Sequence, residues 1–241
     1  MIPKYILVGC EESQAVCKAF REKGHYAYSC DLQESSGGHP EWHLKMDVFK
    51  AIEGGPLVTE SGEMIYIAGW DMGIFFPTCT YLTTTGAKWF YHPEDKHLPM
   101  GKRRPHPRFP DRRKKQKDAI DFFMRIARAD IPMLAIENPV GVMSSRWRKP
   151  DQIIQPFQFG HPEPKKTCLW LKNLPKLKPT KIVEPEYHTT KSGKRVPTWF
   201  FFADKKDRSK TRSKTFPGIA NAMADQWGKD IKIQKTLFDY E

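Results

Sequence analysis

Short β-rich runs alternate with helix-period segments over the first 139 residues, and that alternation leaves few folds open to the chain. The run "YILVGC" (5–10) is followed by "EESQAVCKAFREKGH", where Ala15, Val16, Ala19 and Phe20 recur at helical spacing and Gly24 supplies a stop. "YAYSCDL" (26–32) reads as a second strand ending in Asp31, and a Gly/Ser/His-rich loop then leads to "LKMDVF" with Asp47. The apolar run 65–76, "IYIAGWDMGIFF", reads as one buried strand. "DAIDFFMRIARAD" (118–130) has Ile120, Phe123, Ile126 and Ala127 on one helical face, and "PMLAIENP" gives a further strand ending at Glu137 and Asn138. Strands alternating with helices imply an α/β fold: a Rossmann-like, mostly parallel sheet with helices on both faces. Beyond residue 150 proline becomes more frequent and the periodicity fades. The expected division is a core over 1–150, a small basic elaboration over 151–214, and a C-terminal segment, 215–241, returning to the core.

In such a sheet, ligands bind outside the carboxyl ends of the strands. Asp31, Asp47, Cys79 and Glu137 all fall at or near such ends, so one sheet edge is expected to gather them. A carboxylate after the second strand is the usual partner of a ribose. The chain has neither GxGxxG nor GxxxxGK[ST], and the first turn, "VGCEESQ", holds the single Gly9, so a cofactor without a pyrophosphate fits better. Cys79, in "FFPTCTYLTTTG" (75–86), stands just past the predicted strand end, where it serves either as a nucleophile or as a small apolar residue at the core's edge. Cys10, Cys17, Cys30 and Cys168 read as core or edge thiols. Cys30 with His39 and His43 matches no zinc spacing, and no metal is expected.

Five dispersed cysteines without a CxxC argue for reduced thiols and a cytoplasmic setting. The N-terminal residues enter a strand pattern without cleavage-site grammar, so no signal peptide is expected, and no apolar stretch reaches the length of a membrane span. The net charge of +12 is concentrated. Residues 102–117 hold nine Lys/Arg against one acid and residues 191–214 nine against two, leaving 22 basic and 25 acidic residues elsewhere. Two cationic stretches, one interleaved with aromatics, suit a phosphate backbone. The expected nucleic-acid contacts are Arg103, Arg104, Arg112, Arg113, Lys114, Lys115, Lys194, Arg195, Arg208 and Arg212, with Trp89, Trp147 and Trp199 available either to stack on bases or to pack. The long, charged and Pro-rich segment 87–117, "AKWFYHPEDKHLPMGKRRPHPRFPDRRKKQK", reads as mobile.

The order of these motifs resembles that of the DNA cytosine C5-methyltransferases, in particular the short members carried by bacteriophages. "ILVGCEESQAVCKAF" stands where the cofactor-binding first motif belongs, "CDL" and "MDV" supply two acidic positions, and "FPTCTYLT" looks like the Pro-Cys nucleophile loop. "AIENPVGVMSS" resembles the Glu-Asn motif, "FGHPEPKKTCLW" the Tyr-Gly-x-Pro-Gln-x-Arg-x-Arg motif, and "PGIANAMADQWG" the closing Gly-Asn-Ala motif. The resemblance implies the class I methyltransferase fold and S-adenosyl-L-methionine as cofactor, with Gly9, Asp31, Asp47, Pro77 and Asn221 around it. It further implies Cys79 as the nucleophile attacking cytosine C6, Glu137 as the partner of N3 and the amino group, Asn138 ordering the loop, and Lys165 at the place of an arginine. The chain departs from the family at Thr78, where proline usually precedes the cysteine, at Lys165-Lys166-Thr167, and in its glycine-poor first turn. Two other readings stay open: a related C5-pyrimidine transferase acting on a free nucleotide or RNA, or moving a group larger than methyl, and a methyltransferase-like DNA-binding protein without turnover. Nothing in the sequence sets the oligomeric state.

Overall fold

A computed structural model describes residues 2–198 and 215–230. The chain begins β1 (Tyr5–Gly9), α1 (Ala15–Glu22), β2 (Tyr26–Asp31), β3 (His43–Lys45), α2 (Val48–Glu53), then β4 (Gly55–Val58), β5 (Met64–Ile67) and β6 (Met72–Phe75). It continues with α3 (Arg112–Ala127), β7 (Met133–Pro139), α4 (Met143–Arg146), β8 (Gln152–Ile154), β9 (Thr167–Lys172), β10 (Tyr187–Thr189), β11 (Arg195–Pro197) and α5 (Pro217–Trp227). Seven strands form the central sheet in the order β3-β2-β1-β6-β7-β9-β8. The first five are parallel, and β9 runs antiparallel to both of its neighbours.

The strands are short apolar runs because both sheet faces are covered. Along β7, Met133 and Ala135 join the cluster that holds Val16 and Phe20 of α1 and Met223 and Trp227 of α5. Leu134 and Ile136 join the opposite cluster with Phe123 and Ile126 of α3 and Val48 of α2. This alternation is the pleat's period of two sorting side chains into two cores. Sheet strands β8 and β9 come from 152–172, so the central sheet extends past residue 150.

Two elements differ from their sequence expectation. The run 65–76 divides: β5 pairs antiparallel with β4 in a separate hairpin, and only β6 enters the central sheet. Met64 and Tyr66 are exposed on that hairpin, so β5 is half-buried where a sheet-core strand would be covered. Helix α3 starts at Arg112 rather than at 118. Its first turns are Lys and Arg, good helix formers that carry no apolar stripe, so periodicity could not mark the start. The segment between Cys79 and α3 carries short 3₁₀ turns over Thr84–Trp89, Pro93–His97 and Met100–Lys102. Its inner tie is the buried Asp95, whose carboxylate accepts from the Arg104 backbone N–H (2.8 Å) and guanidinium (2.6 Å). The Arg104 hydrogen bond holds that carboxyl well below the usual carboxylate range.

Candidate active site

The order of strands reverses between β1 and β6, and their carboxyl ends border the crevice where open α/β sheets bind ligands. Gly9 ends β1 against the ring of Phe75, which an added Cβ would overlap. The turn that follows holds two non-glycine residues in the left-handed region, Cys10 (φ 60°) and Gln14 (φ 57°). Such conformations cost about 1–3 kcal/mol each and persist only where neighbours enforce them. The enforcing contacts are visible. Gln14 is buried; its side-chain amide donates to the His39 carbonyl (2.8 Å), and its amide oxygen accepts from the His39 N–H (3.1 Å). The carboxylate of Glu11, also buried, accepts from the Val16 N–H (2.8 Å) and the Cys17 N–H (3.2 Å), satisfying free donors of the first turn of α1. Burial raises its pKa to about 7 against the lowering effect of those two bonds.

Asp31 and Asp47 meet at this turn. Asp31 ends β2 and accepts from the Gln33 N–H (3.0 Å); Asp47 caps α2 by accepting from the Phe49 N–H (2.8 Å). Both raise the pKa of the Cys10 thiol, although its burial raises it more. Both carboxylates are thus within electrostatic reach of Cys10 at the carboxyl end of β1. Asn221 stands exposed on α5, and no hydrogen bond among the described residues ties it to either acid. Helix α5 is itself fixed near its start, where the Gly218 N–H donates to His161 Nε2 (2.9 Å).

Beyond β6 the backbone carbonyls of the cysteine loop are held one after another. The Asn138 side chain donates to the Pro77 carbonyl (2.8 Å), the Leu82 and Thr83 N–H groups to the Cys79 carbonyl (2.9 and 3.1 Å), the Arg112 guanidinium to the Thr80 carbonyl (3.0 Å), and the Gln116 amide to the Tyr81 carbonyl (2.8 Å). The Leu82 carbonyl accepts from the Val142 N–H (2.8 Å), and Thr83 bridges Gly141. Gly141 is required there, because a Cβ would overlap that Leu82 carbonyl oxygen. Cys79 is exposed, whereas Cys17, Cys30 and Cys168 are buried. Burial pushes the Cys30 thiol up to about 12 and the Cys168 thiol to about 11. Nucleophilicity needs an accessible thiolate, and of the five cysteines Cys79 alone is exposed.

Glu137 lies one residue before the Asn138 that holds Pro77, on the strand pairing with β9. Burial raises its pKa; the positive charge of Lys165 and a hydrogen bond from Thr167 oppose the rise. The carboxyl is thereby moved toward its protonated, donating form, with Lys165 beside it. Lys165 Nζ also lies 5.7 Å from the centroid of the Phe216 ring. Asn138 is buried with its Oδ1 lacking a partner among the described residues.

The cations divide into two kinds. Arg104 is engaged by Asp95 and Glu94, and Arg103 donates to the carbonyls of Leu98 (2.7 Å) and Lys96 (2.9 Å). Arg112, expected as a surface contact, is instead only 8% exposed, set against the Tyr81 and Phe90 rings. Arg113, Lys114 and Lys115 are exposed on α3. Lys194 and Arg195 are exposed at the β10–β11 hairpin, with the Arg195 guanidinium 4.5 Å from the Tyr187 ring centroid. Arg208, Arg212 and Trp199 lie outside the described residues. Trp147 packs edge-on against Phe123. Among the described residues no group of three His, Cys, Asp or Glu is arranged to hold a metal, and no helix is long and apolar enough to cross a membrane.

Comparison with protein-family models and with curated proteins finds no match for this chain. Its chemistry therefore rests on its own geometry. Glu11, Gln14, Gln116 and Gly141 are framework residues that sequence reasoning did not single out, and Arg112 was expected as a surface contact instead. For Glu11 a signal existed, an acid just ahead of an apolar helical face. For Arg112 there was none, since its partner Thr80 is 32 residues away.

Proposed function

We infer that the protein is an S-adenosylmethionine-dependent C5-methyltransferase acting on cytosine in DNA, with Cys79 as the attacking group. The observation that carries this reading is the fastening of the loop with the one exposed cysteine onto Asn138, the residue after Glu137, just beyond the strand-order reversal. The sheet order, with β9 alone reversed, supports the class I methyltransferase fold.

Asp31 and Asp47 flank the first turn with carboxylates that accept hydroxyl donors, and no glycine-rich cradle for a pyrophosphate is present. That donor set fits a ribose-bearing, pyrophosphate-free group such as S-adenosylmethionine, which when bound supplies an electrophilic methyl. The chain's own residues do the rest. The Cys79 thiolate forms a bond to C6, and the C5=C6 electron pair shifts toward C5 and the ring while protonated Glu137 donates at N3. Lys165 adds positive charge beside Glu137. Once C5 carries its new substituent, a water molecule in the crevice takes the C5 proton, the electron pair returns to the C5=C6 bond and expels the Cys79 thiolate, and the Glu137 carboxylate takes back the N3 proton. Asn138 and Arg112 hold the loop while the base, taken out of its stack, occupies the crevice.

A DNA strand bearing 5-fluorocytosine tests this, because fluorine cannot leave as the proton does and the Cys79–C6 bond persists. The expected result is a covalent complex with the parent protein and none with Cys79→Ala, whereas Cys168→Ala retains it. Normal modification of DNA by Cys79→Ala refutes the mechanism, and nucleoside mass spectrometry on that DNA identifies the group transferred.

A further inference from the structure

The segment between Cys79 and α3 sorts its side chains by destination. Arg112 is buried against the Thr80 carbonyl, and the more exposed Arg103 and Arg104 are engaged by the Leu98 and Lys96 carbonyls and by Asp95. A second set is arranged around aromatic rings. Trp89, His106 and Phe109 pack on one another with ring centroids 5.2–5.4 Å apart, His106 buried beneath and Phe109 40% exposed. Lys88 Nζ lies 4.9 Å from the Trp89 ring centroid and the Arg108 guanidinium 5.7 Å from that of Phe109. Just beyond, Arg113, Lys114, Lys115 and Lys117 are exposed on the first turns of α3. Among the described residues none of these six cations has a carboxylate partner, although Arg104 on the same segment has two. A ledge of aromatic surface rimmed by unneutralised cations thus begins nine residues after Cys79, on a scaffold tied down from within.

We propose that this ledge, Lys88–Trp89 with Arg108–Phe109 and the exposed cations of α3, binds single-stranded DNA and delivers its unpaired base to Cys79. The proposal rests on the reading of Cys79 given above and names the strand state of its substrate. Unneutralised cations suit a phosphate chain, and an exposed ring flanked by them suits a base face. A duplex offers the ring little, because its base faces are already stacked on one another. A single strand leaves those faces free, and extruding its target base costs the least.

Fluorescence anisotropy with a labelled 20-nucleotide strand and the same sequence as duplex, over a salt series, tests the assignment. The single strand is expected to bind at least tenfold more tightly than the duplex. Phe109→Ala should weaken single-strand binding about tenfold, about 1.4 kcal/mol. Phe109→Leu, which keeps apolar bulk, should fail to rescue it, and Phe109→Tyr should restore it. Changing Arg108 and Lys114 together to Gln should lower the salt slope by about 1.4, at roughly 0.7 per phosphate on a single strand. Tighter binding to duplex overturns the proposal, as does unchanged affinity in the Phe109→Ala and Phe109→Leu proteins. A covalent 5-fluorocytosine complex with Phe109-independent binding leaves the transferase reading standing and removes the ledge. Phe109-dependent single-strand binding without any such complex supports the ledge and removes the reaction.

Discussion

Arg112 and Arg113 are adjacent and chemically identical, yet their fates in the fold predict opposite phenotypes. Arg112 donates to the Thr80 carbonyl at 3.0 Å and lies 5.2 Å and 5.0 Å from the Tyr81 and Phe90 ring centroids. Replacing it by Met removes a charged hydrogen bond, worth about 1.5–3 kcal/mol. Two cation–π contacts of roughly 0.5–2 kcal/mol each go with it. Against this, the buried Nε of Arg112 has no partner among the described residues, so its removal recovers a desolvation cost of about 1–3 kcal/mol. The net expectation for Arg112→Met is a loss of roughly 2 kcal/mol in urea denaturation. Formation of the 5-fluorocytosine complex should slow, because the Thr80 carbonyl next to Cys79 is no longer held, while the salt dependence of DNA binding stays at the parent slope. Arg113→Met should do the reverse. Its guanidinium is exposed, 4.9 Å from the Tyr91 ring centroid, so stability should change by no more than about 0.5 kcal/mol. The salt slope should fall by about 0.7, one phosphate contact on a single strand. An Arg112→Met protein as stable as the parent, with a flattened salt slope, refutes the assignment of Arg112 as a post for the cysteine loop.

Glu11 predicts a pH dependence of stability. Its carboxyl rises from 4.5 in the unfolded chain to about 7 in the fold, so folding takes up a proton between those values and stability falls as pH rises across that window. The loss is on the order of 3 kcal/mol, and Glu11→Gln, neutral throughout and still an acceptor for the Val16 N–H, should flatten the profile in denaturation at pH 4.5–7.5; a Gln variant with the parent's slope sinks the account. Asp31→Ala should weaken S-adenosylhomocysteine in calorimetry tenfold or more, about 1.4 kcal/mol, and unchanged affinity would remove Asp31 from the cofactor site.

Much of the architecture was legible in residue order because local physics determines it. Short apolar runs such as "YILVG" and "MLAI", rich in β-branched residues or bounded by turn signals, suit a strand covered on both faces, and the helical spacing of Val16, Ala19 and Phe20 places one face of α1 on the sheet. Asp31, Asp47 and Glu137 therefore had to fall at or near strand ends, and Cys79 beyond one. Apolar content does not name a strand's partner, so nothing local in 65–76 separates the hairpin strand β5 from the sheet strand β6. Charge was also ambiguous. A Lys or Arg looks the same whether it faces water or a carbonyl far along the chain.

The sequence by itself determined the alternating α/β core, the single cysteine just past β6 and the concentration of positive charge around residues 102–117. Only the tertiary structure decided which of those cations are neutralised within the fold, that Glu11 satisfies the first turn of α1, and that Asn138 and Gly141 clamp the cysteine loop. The physical reason is distance along the chain: Asn138 meets Pro77 across 61 residues and Arg112 meets Thr80 across 32. Strand and helix preferences are settled among near neighbours, whereas the donor that satisfies a given carbonyl is chosen only when the sheet brings distant segments together.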